Sequence, residues 1–113
     1  MKQGEIWLIN LSPTIGTEIT KTRFCVILNS NEIVILPLNV VAPVTDHKSL
    51  YDSVPWMVDL FPEKINNLSK RSVVDLFQLR SVSLERLIRR TGKVGEIDFL
   101  KIIEATKIVF RIY

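Results

Sequence analysis

The chain has 113 residues, of which 47% are hydrophobic and 24% charged, and carries a formal net charge of +3. That size supports one domain, residues 1–113, with a single modest core, and the composition is that of an ordinary globular protein rather than a disordered one. Its sole cysteine, Cys25, excludes an intrachain disulfide and a cysteine-based metal site.

No apolar stretch reaches membrane-spanning length and the N-terminus lacks a signal-peptide core, so no membrane association is expected and the cytoplasm is the expected compartment. The mild basic excess is compatible with a polyanionic partner without requiring one.

In chain order, Gly4–Leu11 reads as a strand with two largely apolar faces, to be covered on both sides or on one side by a partner subunit. Ser12–Arg23 is a polar loop punctuated by Pro13 and Gly16, longer than a hairpin needs, and long ordered loops tend to carry function. Arg23–Leu28 is a second strand, with Cys25 as a buried small hydrophobe. Residues 32–38 are ambiguous: Ile33-Val34-Ile35-Leu36 has strand propensity, whereas Pro37 argues for an edge or a break.

Asn39–Thr45 reads as a further strand, Asp46–Ser49 as a polar turn, and Asp52–Leu60 as an edge strand through Val54, Trp56 and Val58. Ser72–Val82 is expected as one strand, followed by a helical turn capped by Ser83 and a short strand at Ile88–Lys93. From Glu96 to Tyr113 the apolar period becomes helical, with Gly95 as N-cap. Many short strands followed by one helix give an α+β, mostly β class: a small, strongly bent antiparallel sheet or barrel closed by a C-terminal helix.

Chemistry-bearing clusters are sparse. His47 is the only histidine and is expected to be a solvated turn residue, and Asp46, Asp52 and Asp59 have no recognisable ligand spacing. No metal and no cofactor is therefore expected, and the chain has neither a phosphate-binding loop nor a dinucleotide fingerprint. Taken alone, these residues stop at a small basic barrel, and the Ser12–Arg23 loop with Arg23 reads either as a solvated connection that covers the strand end or as one wall of a site.

Read as an ordered string, the chain resembles the MazF/PemK toxins of type II toxin–antitoxin modules. The resemblance rests on Gly4-Glu5-Ile6-Trp7, the Pro13-Thr14-Ile15-Gly16-Thr17-Glu18 loop, Arg23 before Cys25-Val26-Ile27-Leu28, and Val41-Ala42-Pro43-Val44-Thr45. It continues through Ser72-Val73-Val74, Gln78, Arg80, Ser81 and Val82 to Gly92-Lys93-Val94.

The resemblance implies an SH3-like barrel acting as a homodimer and a metal-independent, sequence-selective endoribonuclease acting on single-stranded RNA. It also implies an antitoxin partner with an acidic disordered tail, and a DNA-binding toxin–antitoxin complex. Cleavage of this kind sends the substrate's 2′-hydroxyl against the adjacent phosphate, leaving a cyclic phosphate and a 5′-hydroxyl. By the resemblance Arg23 and Thr45 are catalytic, and Thr17, Glu18, Lys21, Gln78 and Arg80 contact RNA.

Two positions depart from the family pattern. Lys21 stands where most relatives have Gly, which restricts the loop backbone but adds a charge able to meet phosphate. Phe77 stands where an Asp with a catalytic role in some members is usual, so an acid–base contribution there is absent; packed inside the barrel, Phe77 would resist replacement by Asp. The alternatives are a non-catalytic binder resembling CcdB, which poisons gyrase by protein contact, and an inactive family member.

Overall fold

The computed structural model describes residues 1–19, 21–33 and 36–112. Its elements are β1 (Glu5–Asn10), β2 (Thr22–Ile27), β3 (Leu38–Asp46), β4 (Met57–Leu60), β5 (Ser72–Asp75), β6 (Arg80–Ser83), β7 (Leu87–Lys93) and α1 (Glu96–Phe110). Short 3-10 turns occupy Ser49–Ser53, Leu76–Gln78 and Leu84–Arg86.

All pairings among the described residues are antiparallel, in the order β4-β5-β3-β2-β1-β7, with β6 added to β3. The expected mostly-β fold with a C-terminal helix is therefore present, and the sheet bends strongly without closing into a full barrel.

The bend lets β1 and β2 bury both faces within one chain. Ile6, Val26, Ala42 and Val44 point into the larger core, where Leu60, Val74, Leu76 and Ile102 meet them. Ile9, Cys25, Ile27 and Val41 point the other way, into a second cluster closed by Leu11 and Val82. Ile6 and Ile9, three residues apart on one strand, fall on opposite faces by the strand's two-residue alternation and so serve opposite layers. Of the two coverings expected for the first strand, the chain itself supplies both.

Three elements differ from expectation. Strand Asp52–Leu60 shrinks to Met57–Leu60, because Ser49–Ser53 winds into a 3-10 turn and Pro55 precedes the ladder. Segment Ser72–Val82 is broken at Leu76–Gln78, where Asp75 Oδ1 accepts from Phe77 N at 3.0 Å and caps the turn. The helix ends at Phe110, where Arg111 takes a left-handed φ of 58° and Ile112 N donates to Lys107 O at 2.9 Å. Thr20, Val34, Ile35 and Tyr113, which entered the readings of the 12–23 loop, of 32–38 and of the helix, lie outside the described residues.

The turn at Ser83 is as expected, its Oγ accepting from Glu85 N at 3.4 Å. Gly92 is demanded by close approach: a Cβ there would stand 2.4 Å from Asn66 O. Asn66 is buried and accepts from Glu63 N and Leu68 N, both at 3.0 Å, while donating to Phe61 O at 2.8 Å. The irregular stretch before β5 is thus clamped to β7, and it carries Leu68–Lys70 to the site described next.

Candidate functional site

The cleft forms where β2 and β3 part. Their ladder runs only from Ile27↔Val41 to Cys25↔Pro43. Beyond it, β2 stays with β1 through Arg23↔Ile9, and β3 stays with β5 through Thr45↔Val73. Extending the β2–β3 register by two residues sets Arg23 opposite Thr45, twenty-two positions apart in sequence. Both line a cleft of about 160 Å³, floored by Leu8 and Phe24 and rimmed by Ser69 and Lys70.

Among the described residues the Arg23 guanidinium has no hydrogen-bond or ion-pair partner, and neither does the Thr45 hydroxyl. A fixed cation beside a hydroxyl, both uncommitted, is an arrangement ready to receive an anion with two or more oxygens. At the rim Lys70 Nζ lies 3.0 Å from Asp46 Oδ2, an exposed pair that sequence reasoning did not single out.

The loop residues 12–19 stand beside a neighbouring groove and are held, with Lys21, by several clasps. Arg80 Nη1 donates to Leu11 O at 3.2 Å, and Arg86 Nη1 donates to Asn10 O at 3.1 Å and also to Ser12 O. Ile19 N donates to Gln78 Oε1 at 2.7 Å, and Gln78 Nε2 donates in turn to Asp75 Oδ2 at 3.1 Å. Asp75, 4% exposed, is therefore the buried root of a chain ending at the loop backbone.

Within the loop, Glu18 Oε1 accepts from Ile15 N at 2.9 Å. Lys21 takes a left-handed φ of 68°, with its N–H on Ser12 Oγ at 2.9 Å and its carbonyl accepting from Leu11 N at 2.9 Å. The conformation that suits a glycine is thus kept, with a lysine adopting it.

The residues expected to contact RNA divide accordingly. Thr17, Glu18, Gln78 and Arg80 line one groove, whereas Lys21 sits at the loop's exit into β2. Gln78 and Arg80 also hold the loop, a structural duty the sequence did not reveal. Asp75 and Arg86 were missed; an acidic residue at the start of a Leu-Phe-Gln turn was the one available signal for Asp75.

One condition set for Phe77 is not met, and one expectation is corrected. Phe77 does not pack inside the barrel: it is 66% exposed, its ring tilted against Trp56 with centroids 5.4 Å apart. His47 is not a freely solvated turn residue: its side chain is 15% exposed and Nε2 lies 2.8 Å from Asp52 Oδ1.

His47, Asp52 and Asp59 bring possible metal-ligand atoms within 4.8 Å of one another, a grouping the sequence spacing did not disclose. Arg71 already supplies positive charge there, with Nη2 at 2.8 Å from Asp59 and 3.6 Å from Asp52 and its guanidinium 4.7 Å from the Phe61 ring centroid. The hydrogen bond to His47 holds the Asp52 carboxyl below its ordinary range. Burial pushes the Cys25 thiol up to about 12, so it stays protonated and packs as a small hydrophobe.

With the geometry in hand, similarity to known proteins is informative. Endoribonuclease MazF9 of Mycobacterium tuberculosis is 27% identical over 112 residues, covering 96% of this chain and 94% of the relative. The structure of MazF from Deinococcus radiodurans superposes with a TM-score of 0.81 at 18% identity, covering 98% and 96% of the two chains. A mycobacterial endoribonuclease in complex with its cognate antitoxin superposes with a TM-score of 0.80 at 15% identity, covering 100% and 97%. At those identities the structural matches speak for the fold. The PemK-like, MazF-like toxin family of type II toxin–antitoxin systems matches residues 2–110, nearly the whole chain, and to that family this chain belongs.

Proposed function

We propose that the chain is the toxin of a toxin–antitoxin pair and cleaves single-stranded RNA at a short sequence, without a metal, from the cleft between β2 and β3. The observation that carries this reading is the uncommitted Arg23 guanidinium facing the same cleft as the uncommitted Thr45 hydroxyl. Attack of the substrate's 2′-oxygen on phosphorus forms the cyclic phosphate as the bond to the 5′-oxygen breaks. The 2′-hydroxyl gives up its proton and the departing oxygen gains one.

Between those two events the phosphorane gathers negative charge on its non-bridging oxygens. Arg23 offers a fixed, paired set of donors to those oxygens, and Thr45 offers one neutral donor. Because RNA brings its own nucleophile, the protein's share is positioning and charge stabilisation. The family membership and the endoribonuclease named among its relatives support the same reading.

Two partners follow. An acidic antitoxin tail suits a basic chain, and one structural relative is bound to its cognate antitoxin. A second copy suits α1, whose outer residues Ile97 and Leu100 are 72% and 65% exposed. Sedimentation at micromolar concentration reads the dimer directly.

The mechanism is tested by single-turnover cleavage of an RNA in EDTA, with end chemistry mapped and folding checked by thermal melts. Arg23→Ala is expected to lose on the order of a hundred- to a thousandfold in rate while melting like wild type, since its side chain leaves no partner behind. Thr45→Ala is expected to lose less. A folded Arg23→Ala protein that cuts at the wild-type rate overturns the mechanism.

A further inference from the structure

A groove of about 500 Å³ lies beside the cleft, between the Ser12–Lys21 loop and the turn after β5, lined by Thr17, Glu18, Pro43, Phe77, Gln78 and Arg80. Its volume is within the range of small-ligand sites, roughly 300–1,000 Å³. It adjoins the cleft through β3: Pro43 lines the groove and Thr45 the cleft, two residues or about 6.6 Å apart along the strand. Neighbouring nucleotides of one strand can bridge that distance.

Phe77 is the unexplained member. Its neighbour Leu76 is fully buried in the larger core, yet Phe77 itself stands mostly in solvent. Nothing about it is loose. Its backbone N–H is pinned by Asp75 at 3.0 Å, and its ring rests on Trp56, which packs against the larger core. An aromatic ring braced from behind on a groove wall is what an unstacked nucleobase uses as a platform, because every base has a π-face to offer.

The polar lining adds a means of choosing among bases. Glu18 spends Oε1 on Ile15 N, and Oε2 has no partner among the described residues. A carboxylate oxygen accepts from the exocyclic amino group of cytosine or adenine and opposes the carbonyl that uracil presents on the same edge.

We propose that Phe77 is the stacking platform of a nucleobase subsite beside the cleavage cleft, in which Glu18 favours a base bearing an exocyclic amino group. The proposal rests on the RNA-cleaving reading above and adds to it a contact and a preference that Arg23 and Thr45 do not supply.

The test uses the full-length protein and a short RNA spanning the principal site that wild type cuts in a long transcript, made with a 2′-deoxy residue at the scissile nucleotide so that it binds without being cut. Fluorescence anisotropy gives the affinity. Phe77→Ala is expected to weaken binding by about 5- to 150-fold, the loss of one base–aromatic stack, while Phe77→Trp and Phe77→Tyr hold most of the affinity.

An abasic residue is then placed at each position in turn. At one position wild type and Phe77→Ala should bind equally, because platform and base are lost together. Uracil at that position should weaken wild type more than Glu18→Gln. Wild-type affinity in Phe77→Ala overturns the platform, and loss of antitoxin binding instead would mark Phe77 as a protein contact. An Ala penalty that survives every abasic substitution makes Phe77 merely structural. A wild type that neither binds nor cuts RNA refutes the RNA reading itself, an outcome distinct from all of these.

Discussion

The Asp75–Gln78–Ile19 chain makes a quantitative claim about how the site is held together. Gln78→Ala deletes two hydrogen bonds, the 2.7 Å bond from Ile19 N and the 3.1 Å bond to Asp75 Oδ2. The first joins neutral groups and contributes about 0.5–1.5 kcal/mol, and the second ends on a carboxylate and contributes about 1.5–3 kcal/mol. Asp75 is left almost wholly buried with only the Phe77 N–H to satisfy it.

The expected cost is therefore about 2–4.5 kcal/mol, a large part of the roughly 5–15 kcal/mol that stabilises a domain. At about 4 °C per kcal/mol the melting temperature should fall by roughly 8–18 °C. An amide costs less to bury than an unpaired carboxylate and still accepts from Phe77 N, so Asp75→Asn in the Gln78→Ala background should recover part of the loss. Urea unfolding gives the energies, and limited trypsin digestion reports the loop through cutting after Lys21. A Gln78→Ala protein that melts within a degree of wild type and is cut no faster after Lys21 would refute this account.

Two other perturbations follow from backbone geometry. Gly92→Ala drives a methyl against the backbone carbonyl of Asn66, which cannot rotate away, and should cost about 1–3 kcal/mol in urea unfolding. Lys21→Gly should separate stability from binding: relief of a left-handed lysine, about 1–2 kcal/mol, outweighs the added chain entropy of glycine, about 0.5–1 kcal/mol. The variant should thus unfold at slightly higher urea, yet bind RNA more weakly and with a shallower salt dependence for want of one cation.

The strands legible in the sequence were those whose apolar residues are buried. β1 and β3 announce themselves because Ile6, Ala42 and Val44 face one core and Ile9 and Val41 the other, and α1 because Phe99, Ile102 and Val109 repeat at helical spacing against the larger one. The division of Ser72–Val82 was hidden by its strand propensity, since one capping carboxylate at Asp75 outweighs several β-formers. The place of Phe77 stayed open in the sequence for a related reason: hydrophobicity counsels burial, but the turn carries the ring onto Trp56 at the surface.

His47 was misjudged because its partner Asp52 lies in a 3-10 turn read as strand. Arg23 and Thr45 could be named by likeness to a family, but their facing one cleft depends on strand register, a long-range property.

The ladder that joins β2 to β3 is only three residue pairs long, and its brevity has a mechanical consequence. Arg23 rides on a layer carried by β1 and β7, and Thr45 on a layer carried by β4 and β5. Past Cys25 and Pro43 no backbone ladder among the described residues joins the two layers, so the gap between guanidinium and hydroxyl is set by the angle at which the layers diverge. A ligand that binds either layer and alters that angle would alter the gap without entering the cleft.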